Sequence, residues 1–306
     1  MNSNKNGGRY SAAPTKAKKR GGKKFSLLVA ILMIVALILT GLIFYMLHHI
    51  KAANDFKALS GQINQVSSAQ TESIVLPPPA ESAPDAANLP FENTKPAANS
   101  KVESTVAATE PQQKAFLPQY VDPYCQNPDL YGWLRIDGTV IDYPVMRSIE
   151  EPEKYLHANF KGEYSYAGTP FVDYKCSYES DNLLIYGHNM LDGSMFRSLL
   201  KYQEKNFWEA HPTIMYSDLY GEFEYEVMSA FYDRVYKKTE TCFKFYQFID
   251  AENEQDFNDA VATLKSKSLY DTGVEAQYGD QLITLITCAY HETNGRFVVV
   301  ARKAAD

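Results

Sequence analysis

The 306-residue sequence predicts a mainly β fold, a closed or nearly closed barrel with a few peripheral helices, preceded by a single transmembrane helix. Three observations carry this. Residues 25–47 run for 23 positions without a charge. From about residue 116 onward, short apolar, β-branched and aromatic runs recur between turn residues, which is the pattern of strands. Helical periodicity in that part of the chain is confined to three stretches, about residues 118–127, 195–204 and 252–267.

The first element is a basic tail. Residues 1–24 hold Lys5, Arg9, Lys16, Lys18, Lys19, Arg20, Lys23 and Lys24 and no acid, so the net charge of −7 combines +8 here with about −15 in the remainder. An acidic remainder argues against nucleic acid as partner, since phosphate binding needs clustered Lys and Arg on the folded surface. The uncharged run that follows is long enough to cross a hydrocarbon core of roughly 30 Å as a helix. It is also too long for the apolar region of a cleavable signal peptide, so it reads as a retained membrane anchor. Positive charge stays on the cytoplasmic side, which places residues 1–24 inside as a cytoplasmic tail and everything after the anchor outside.

Residues 48–115 read as a juxtamembrane segment and a stalk. In the first part Ile50, Phe56, Leu59 and Ile63 fall at near-helical spacing. Residues 69–115 then hold seven of the 15 prolines among Ala, Ser, Thr and Glu, a composition that buries too little apolar surface to offset chain entropy. A disordered tether is the expectation there. Residues 116–306 remain for one extracellular domain, large enough for a core of its own.

Strands are predicted within 132–145, 168–174, 182–188, 212–217, 222–233, 280–288 and 296–302, with Asp137-Gly138 as a hairpin signal inside the first stretch. The helix over 252–267 places Phe257, Val261 and Leu264 on one face. Its acids cluster in the first turn and Lys265 and Lys267 in the last, both suited to the helix dipole. Cys125, Cys176, Cys242 and Cys288 are an even number outside the cytosol, but a domain this long needs no staples, and we expect no disulfide at Cys288. No Cys/His cluster stands at metal-ligand spacing, and no cofactor is implied.

The chemistry concentrates in the last two strands. Alternation puts Leu282, Thr284, Ile286 and Cys288 on one face, and Arg296, Val298 and Val300 share a face in the next run. If the two strands pair across the seven residues 289–295, Cys288 and Arg296 lie opposite each other on the same side. A guanidinium there favours thiolate and can hold the oxyanion formed when a thiolate attacks a carbonyl. A buried cysteine beside a strand-end arginine is the bland alternative, so a proton carrier is needed to decide. His188 follows an apolar strand and opens the polar loop HNMLDGS, where a side chain projects from a rigid sheet. His291, three residues after Cys288, is its rival; His157 and His211 read as surface or helix-end residues.

At this point the chain resembles the sortase family. LITLITCAYHETNGRFVVVARK over 282–303 looks like the signature in which a strand end carries the cysteine and the next strand opens with the essential arginine. NLLIYGHNM over 182–190 looks like that family's histidine segment, and the order His188, Cys288, Arg296 is the family's order. The helix before the cysteine strand, with NPDLYGWLRIDGTVIDYPV over 127–145, is most similar to class B sortases. The resemblance implies a sortase-type closed β-barrel outside a Gram-positive cell membrane. It implies a cysteine transpeptidase in which Cys288 is the nucleophile, His188 the proton-transfer partner and Arg296 the oxyanion or substrate clamp. The implied partners are secreted proteins with a C-terminal sorting signal and the amine of a peptidoglycan precursor. Ile286 departs from the small hydroxylic residue that many relatives carry two positions before the cysteine, which alters the substrate pocket if that side chain binds substrate. Thr287, on the opposite face, should point away from the site. Asn189 and Asp192 are candidates to orient His188, and Tyr290 is a candidate cleft residue. Three other functions fit the same residues: joining pilin subunits through a lysine, a cysteine peptidase in which water replaces the amine, and a wall-binding module without turnover.

Overall fold

The structure, a computed structural model, describes residues 22–68 and 115–305. Most of the basic tail, and the stalk expected over 69–115 apart from its last residue, lie outside the described residues. The chain falls into two compact units that meet between Lys51 and Ala52. Helix α1 (Gly22–Ser68) contains the span Val29–Leu47, 19 residues of mean hydropathy 2.7 with none of the span buried, long and apolar enough to cross a membrane. Later in the same helix, within the second unit, Phe56, Leu59 and Ile63 are buried and join the core of the folded domain. Their i, i+3, i+7 spacing makes one apolar stripe.

Helix α2 (Pro118–Gln126) opens with proline, whose missing N–H costs nothing at a helix start. The strands follow as β1 (Leu130–Arg135), β2 (Asp142–Met146), β3 (Phe171–Val172), β4 (Asn182–Tyr186), β5 (Thr213–Ser217), β6 (Glu222–Arg234), β7 (Leu282–Cys288) and β8 (Gly295–Lys303). They close into one barrel in the order β1-β2-β3-β4-β7-β8-β6-β5, with β5 returning to β1. Closure removes every exposed sheet edge. The β2–β3 and β4–β7 pairs are parallel and the others antiparallel. The β1–β2 hairpin turns at Gly138, whose φ of 75° lies in the left-handed region and whose missing Cβ leaves room for the His211 ring.

The predicted helix over 195–204 is instead a 3₁₀ segment (Phe196–Gln203) leading into the short α3 (Lys205–Ala210). Its buried aromatic and aliphatic residues, Phe196, Leu199 and Tyr202, recur every third position. A turn of three residues aligns them on one face where an α-turn would splay them. Helix α4 (Glu254–Ser266) matches its expectation: the Asn253 side chain accepts from the Asp256 N–H, and Phe257, Ala260, Val261 and Leu264 are buried. The Ser229 hydroxyl of β6 donates to the Leu264 carbonyl in the last turn, satisfying a group the helix leaves unpaired.

Candidate active site

Three strand ends build the site. β7 and β8 pair without a bulge from Leu282↔Arg302 to Cys288↔Arg296, so Cys288 and Arg296 stand opposite each other at the end of the ladder. β4 runs parallel to β7, with Tyr186 opposite Ile286, and ends one residue before Gly187 and His188. The Gly187 N–H donates to the Ile286 carbonyl at 3.1 Å, and the Thr287 hydroxyl donates to the Gly187 carbonyl at 2.8 Å. The histidine segment is thus laced to the residues that precede the cysteine. A side chain at Gly187 would run into the Phe196 ring at 2.6 Å, so only glycine lets β4 end this close to the 3₁₀ segment.

His188, Cys288 and Arg296 line one cleft of about 370 Å³, whose walls include Leu156, Phe171, Tyr186 and Ile286. Cys288 is a partly buried free thiol. Arg296 donates from Nη1 to the Asn294 and Gly295 carbonyls at 3.2 and 3.0 Å, which pins one edge of the guanidinium. Among the described residues no carboxylate pairs with it, so its charge is available to a bound anion or carbonyl.

His188 is held from the β2–β3 connection. Its Nε2 lies 2.9 Å from the Leu156 carbonyl, and the His157 ring lies against it at 5.5 Å and 28°. A carbonyl only accepts, so Nε2 carries hydrogen and the lone pair of the neutral ring sits on Nδ1. Burial lowers the proton affinity of His188 below the ordinary histidine value; the bond to Leu156 works the other way, and the neighbouring His157 adds to the lowering.

The remaining candidates separate. Ile286 lines the cleft and presents an aliphatic side chain to it. Thr287, expected to point away, also borders the cleft, but it is buried and its hydroxyl is committed to the Gly187 carbonyl. Asn189 does not reach His188: its Nδ2 donates to the Cys288 carbonyl at 2.8 Å and its Oδ1 accepts from Arg197 at 2.9 Å. Asp192 accepts from the backbone N–H and hydroxyl of Ser194 within its own loop. Tyr290 is 79% exposed and does not line the cleft. The rival His291 folds away, edge-on to Tyr232 at 4.8 Å and 3.2 Å from Glu292. The Leu156 carbonyl is a backbone group with no side-chain signature, and His157, exposed at a helix end as expected, carries no sequence sign of its contact with the His188 ring.

A closed barrel that gathers a strand-end thiol, a guanidinium that no described carboxylate pairs and a half-buried imidazole in one cleft holds the groups that acyl transfer through a cysteine needs. Comparison with known proteins names the group. The family model described as Sortase domain matches residues 134–304. Sortase B of Listeria monocytogenes is 39% identical over 179 residues, covering 56% of this chain and 69% of that protein. Sortase B of Staphylococcus aureus is 32% identical over 194 residues, covering 62% and 76%. Among solved structures, a Staphylococcus aureus sortase B–substrate complex superposes with a TM-score of 0.56 at 30% identity, over 62% of this chain and 86% of that one. The chain belongs to the sortase family of cysteine transpeptidases, and its similarities are to the class B members.

Proposed function

We propose that Cys288 is the nucleophile of this sortase, His188 its proton carrier and Arg296 the clamp for the oxyanion. The observation that carries the assignment is the meeting of all three in one cleft, with Cys288 directly opposite Arg296. The Cys288 thiol passes its proton to the lone pair on His188 Nδ1, and the resulting thiolate adds to a backbone carbonyl of a C-terminal sorting signal in a secreted protein, the oxyanion forming within reach of the Arg296 guanidinium. As the tetrahedral intermediate collapses, the peptide C–N bond breaks and His188 gives its Nδ1 proton to the departing amine, leaving a thioacyl-enzyme. The amine of a peptidoglycan precursor then attacks the thioester, His188 takes the proton it sheds, and Cys288 leaves as thiolate. One amide replaces another, so the exchange balances without a cofactor. Arginine suits the clamp because its planar fork presents two donors to one carbonyl region while the first Nη stays tied to the strand.

The apolar span of α1 supports a single-pass anchor with the N-terminus in the cytoplasm and the catalytic domain outside, where sorting signals emerge. The test takes peptides from secreted proteins of the same genome that end in a short motif, an apolar run and a basic tail. The full chain is incubated with each, with and without added amine, and the products are read by mass spectrometry. An amide product that appears only with amine supports transpeptidation. Hydrolysis alone with every amine tried would make the protein a peptidase, and no thioacyl adduct on Cys288 with any peptide would overturn the assignment of the nucleophile.

A further inference from the structure

Helix α1 continues well past its apolar span. Residues Phe56, Leu59 and Ile63 of α1 are buried in the same core as the barrel, and the Ser60 hydroxyl donates to an oxygen of Asp142 at 2.5 Å. The second oxygen of Asp142 accepts from the Trp133 indole at 2.7 Å, so the helix is bonded to the start of β2 and, through it, to β1. Phe56 meets the Tyr143 ring edge-on, with centroids 5.4 Å apart. Aromatic contacts of this geometry hold both rings beyond what area burial gives.

Tyr143 has a second attachment. Its hydroxyl accepts from the Met195 N–H at 3.2 Å. Met195 has a φ of 52°, uncommon for a residue with a side chain, and such a conformation persists only when its surroundings hold it. Met195 also bridges Asn189, the adjacent Phe196 N–H donates to the His188 carbonyl at 2.9 Å, and Asn189 donates to the Cys288 carbonyl at 2.8 Å. Residues 188–196 therefore form a closed loop whose base is held by Tyr143 on one side and the end of β7 on another, while the His188 ring is also held at the Leu156 carbonyl. The ring of Tyr143 touches the docked helix and its hydroxyl touches the loop.

We propose that Tyr143 is a positioning residue that links docking of the juxtamembrane part of α1 to the order of the loop carrying His188, so that the anchor segment is a working part of the catalytic domain. When Phe56 is in place the Tyr143 ring is fixed and its hydroxyl holds the left-handed turn at Met195. When the helix leaves, the ring loses its neighbour, the turn relaxes, and His188 and Asn189 lose their fixed relation to Cys288. The proposal rests on the catalytic reading of His188 and Cys288 for its effect on rate, but not for its effect on loop order.

The test uses the full chain in detergent micelles. Tyr143→Phe removes only the hydroxyl, Phe56→Ala removes the ring contact, and Val261→Ala truncates the core under α4 as a control for general destabilisation. Amide hydrogen exchange is followed by mass spectrometry over residues 188–196, and kcat and KM are measured with a sorting-signal peptide that the unmodified chain turns over. Both linking variants should speed exchange in 188–196 about 5–10-fold, the factor that corresponds to one neutral hydrogen bond. They should lower kcat by a similar factor with KM within about twofold, because the loop positions the proton carrier and leaves the peptide cleft intact. The double variant should be no worse than the more affected single one, as expected for two breaks in one connection. Val261→Ala should leave exchange in 188–196 unchanged. The proposal is overturned if Tyr143→Phe exchanges like the unmodified chain in this segment, or if Phe56→Ala frees α1 while 188–196 stays protected. If no peptide is turned over by the unmodified chain, the proposed function fails, and the exchange measurement still decides the linkage.

Discussion

Asn189 ties the histidine loop to the cysteine strand, and its replacement by alanine tests how far that tie matters. Two bonds disappear together: the amide N–H to the Cys288 carbonyl at 2.8 Å and the amide oxygen that accepts from Arg197 at 2.9 Å. A neutral bond of the first kind contributes about 1 kcal/mol, and one to a guanidinium about 1.5–3 kcal/mol where it is buried. Arg197 is only partly buried, so water replaces much of its loss, and we expect a total of about 1–3 kcal/mol. For a domain of this size that lowers Tm by roughly 3–10 °C. Because the lost donor held the backbone of Cys288, the proposed nucleophile, kcat should fall about 10-fold, the equivalent of ~1.4 kcal/mol, with KM little changed. Asn189→Asp separates the two bonds. It keeps an acceptor for Arg197 but sets a carboxylate oxygen against the Cys288 carbonyl, turning an attraction into a repulsion. At neutral pH the aspartate variant should therefore be slower than the alanine variant. Steady-state transpeptidation and thermal melts on the three proteins read both quantities. Wild-type kcat and Tm in Asn189→Ala, or an Asp variant faster than Ala, would refute the reasoning.

Arg296→Lys should reduce kcat/KM by roughly 10²-fold, since lysine keeps the charge but loses the fork that serves strand and oxyanion together; near-normal turnover would remove Arg296 from the clamp role. Thiol labelling should discriminate sharply: a small alkylating reagent should modify Cys288 in the folded protein and leave Cys176 untouched. Burial seals Cys176 and pushes its thiol up to about 12, so labelling of Cys176 before unfolding would contradict the packing. His188 gives a pH dependence of stability. Its folded proton affinity lies below the unfolded value of 6.5, so the unfolded chain binds the extra proton between the two values. Stability should fall as pH drops through about 6.5 and level off below the folded value. The slope should stay under the one-proton limit of ~1.4 kcal/mol per pH unit because the ring is partly exposed. His188→Gln should flatten that part of the curve, and a curve unchanged by the substitution would show that His188 does not carry it.

Much of this protein is legible one segment at a time. The uncharged run of 25–47 needs no partner to be read as a span, because in hydrocarbon the backbone must satisfy itself and a helix does so locally. The pairing of Cys288 with Arg296 was accessible for a similar reason. Two adjacent strands joined by seven residues leave few registers, and the period of two decides which side chains share a face. Helix α4 was legible from its own cap, charges and apolar stripe. What remained hidden depends on contacts between distant segments. His188 could not be separated from His291 by local pattern, since the choice turns on β4 lying parallel to β7, its partner 100 positions further along the chain. The 3₁₀ turns after Met195 follow from the surface that Phe196, Leu199 and Tyr202 must fill, and the sequence permits either helix. The tautomer of His188 is set by a backbone carbonyl, and the link from Phe56 through Tyr143 to Met195 joins three segments with no shared motif. Periodicity and spacing thus determined the strands, the apolar span and the pairing of Cys288 with Arg296, because those follow from neighbours along the chain. The orientation of the imidazole and the docking of the later part of α1 were decided only by the tertiary structure, because their partners, Leu156 and the β1–β2 hairpin, come from segments distant in sequence.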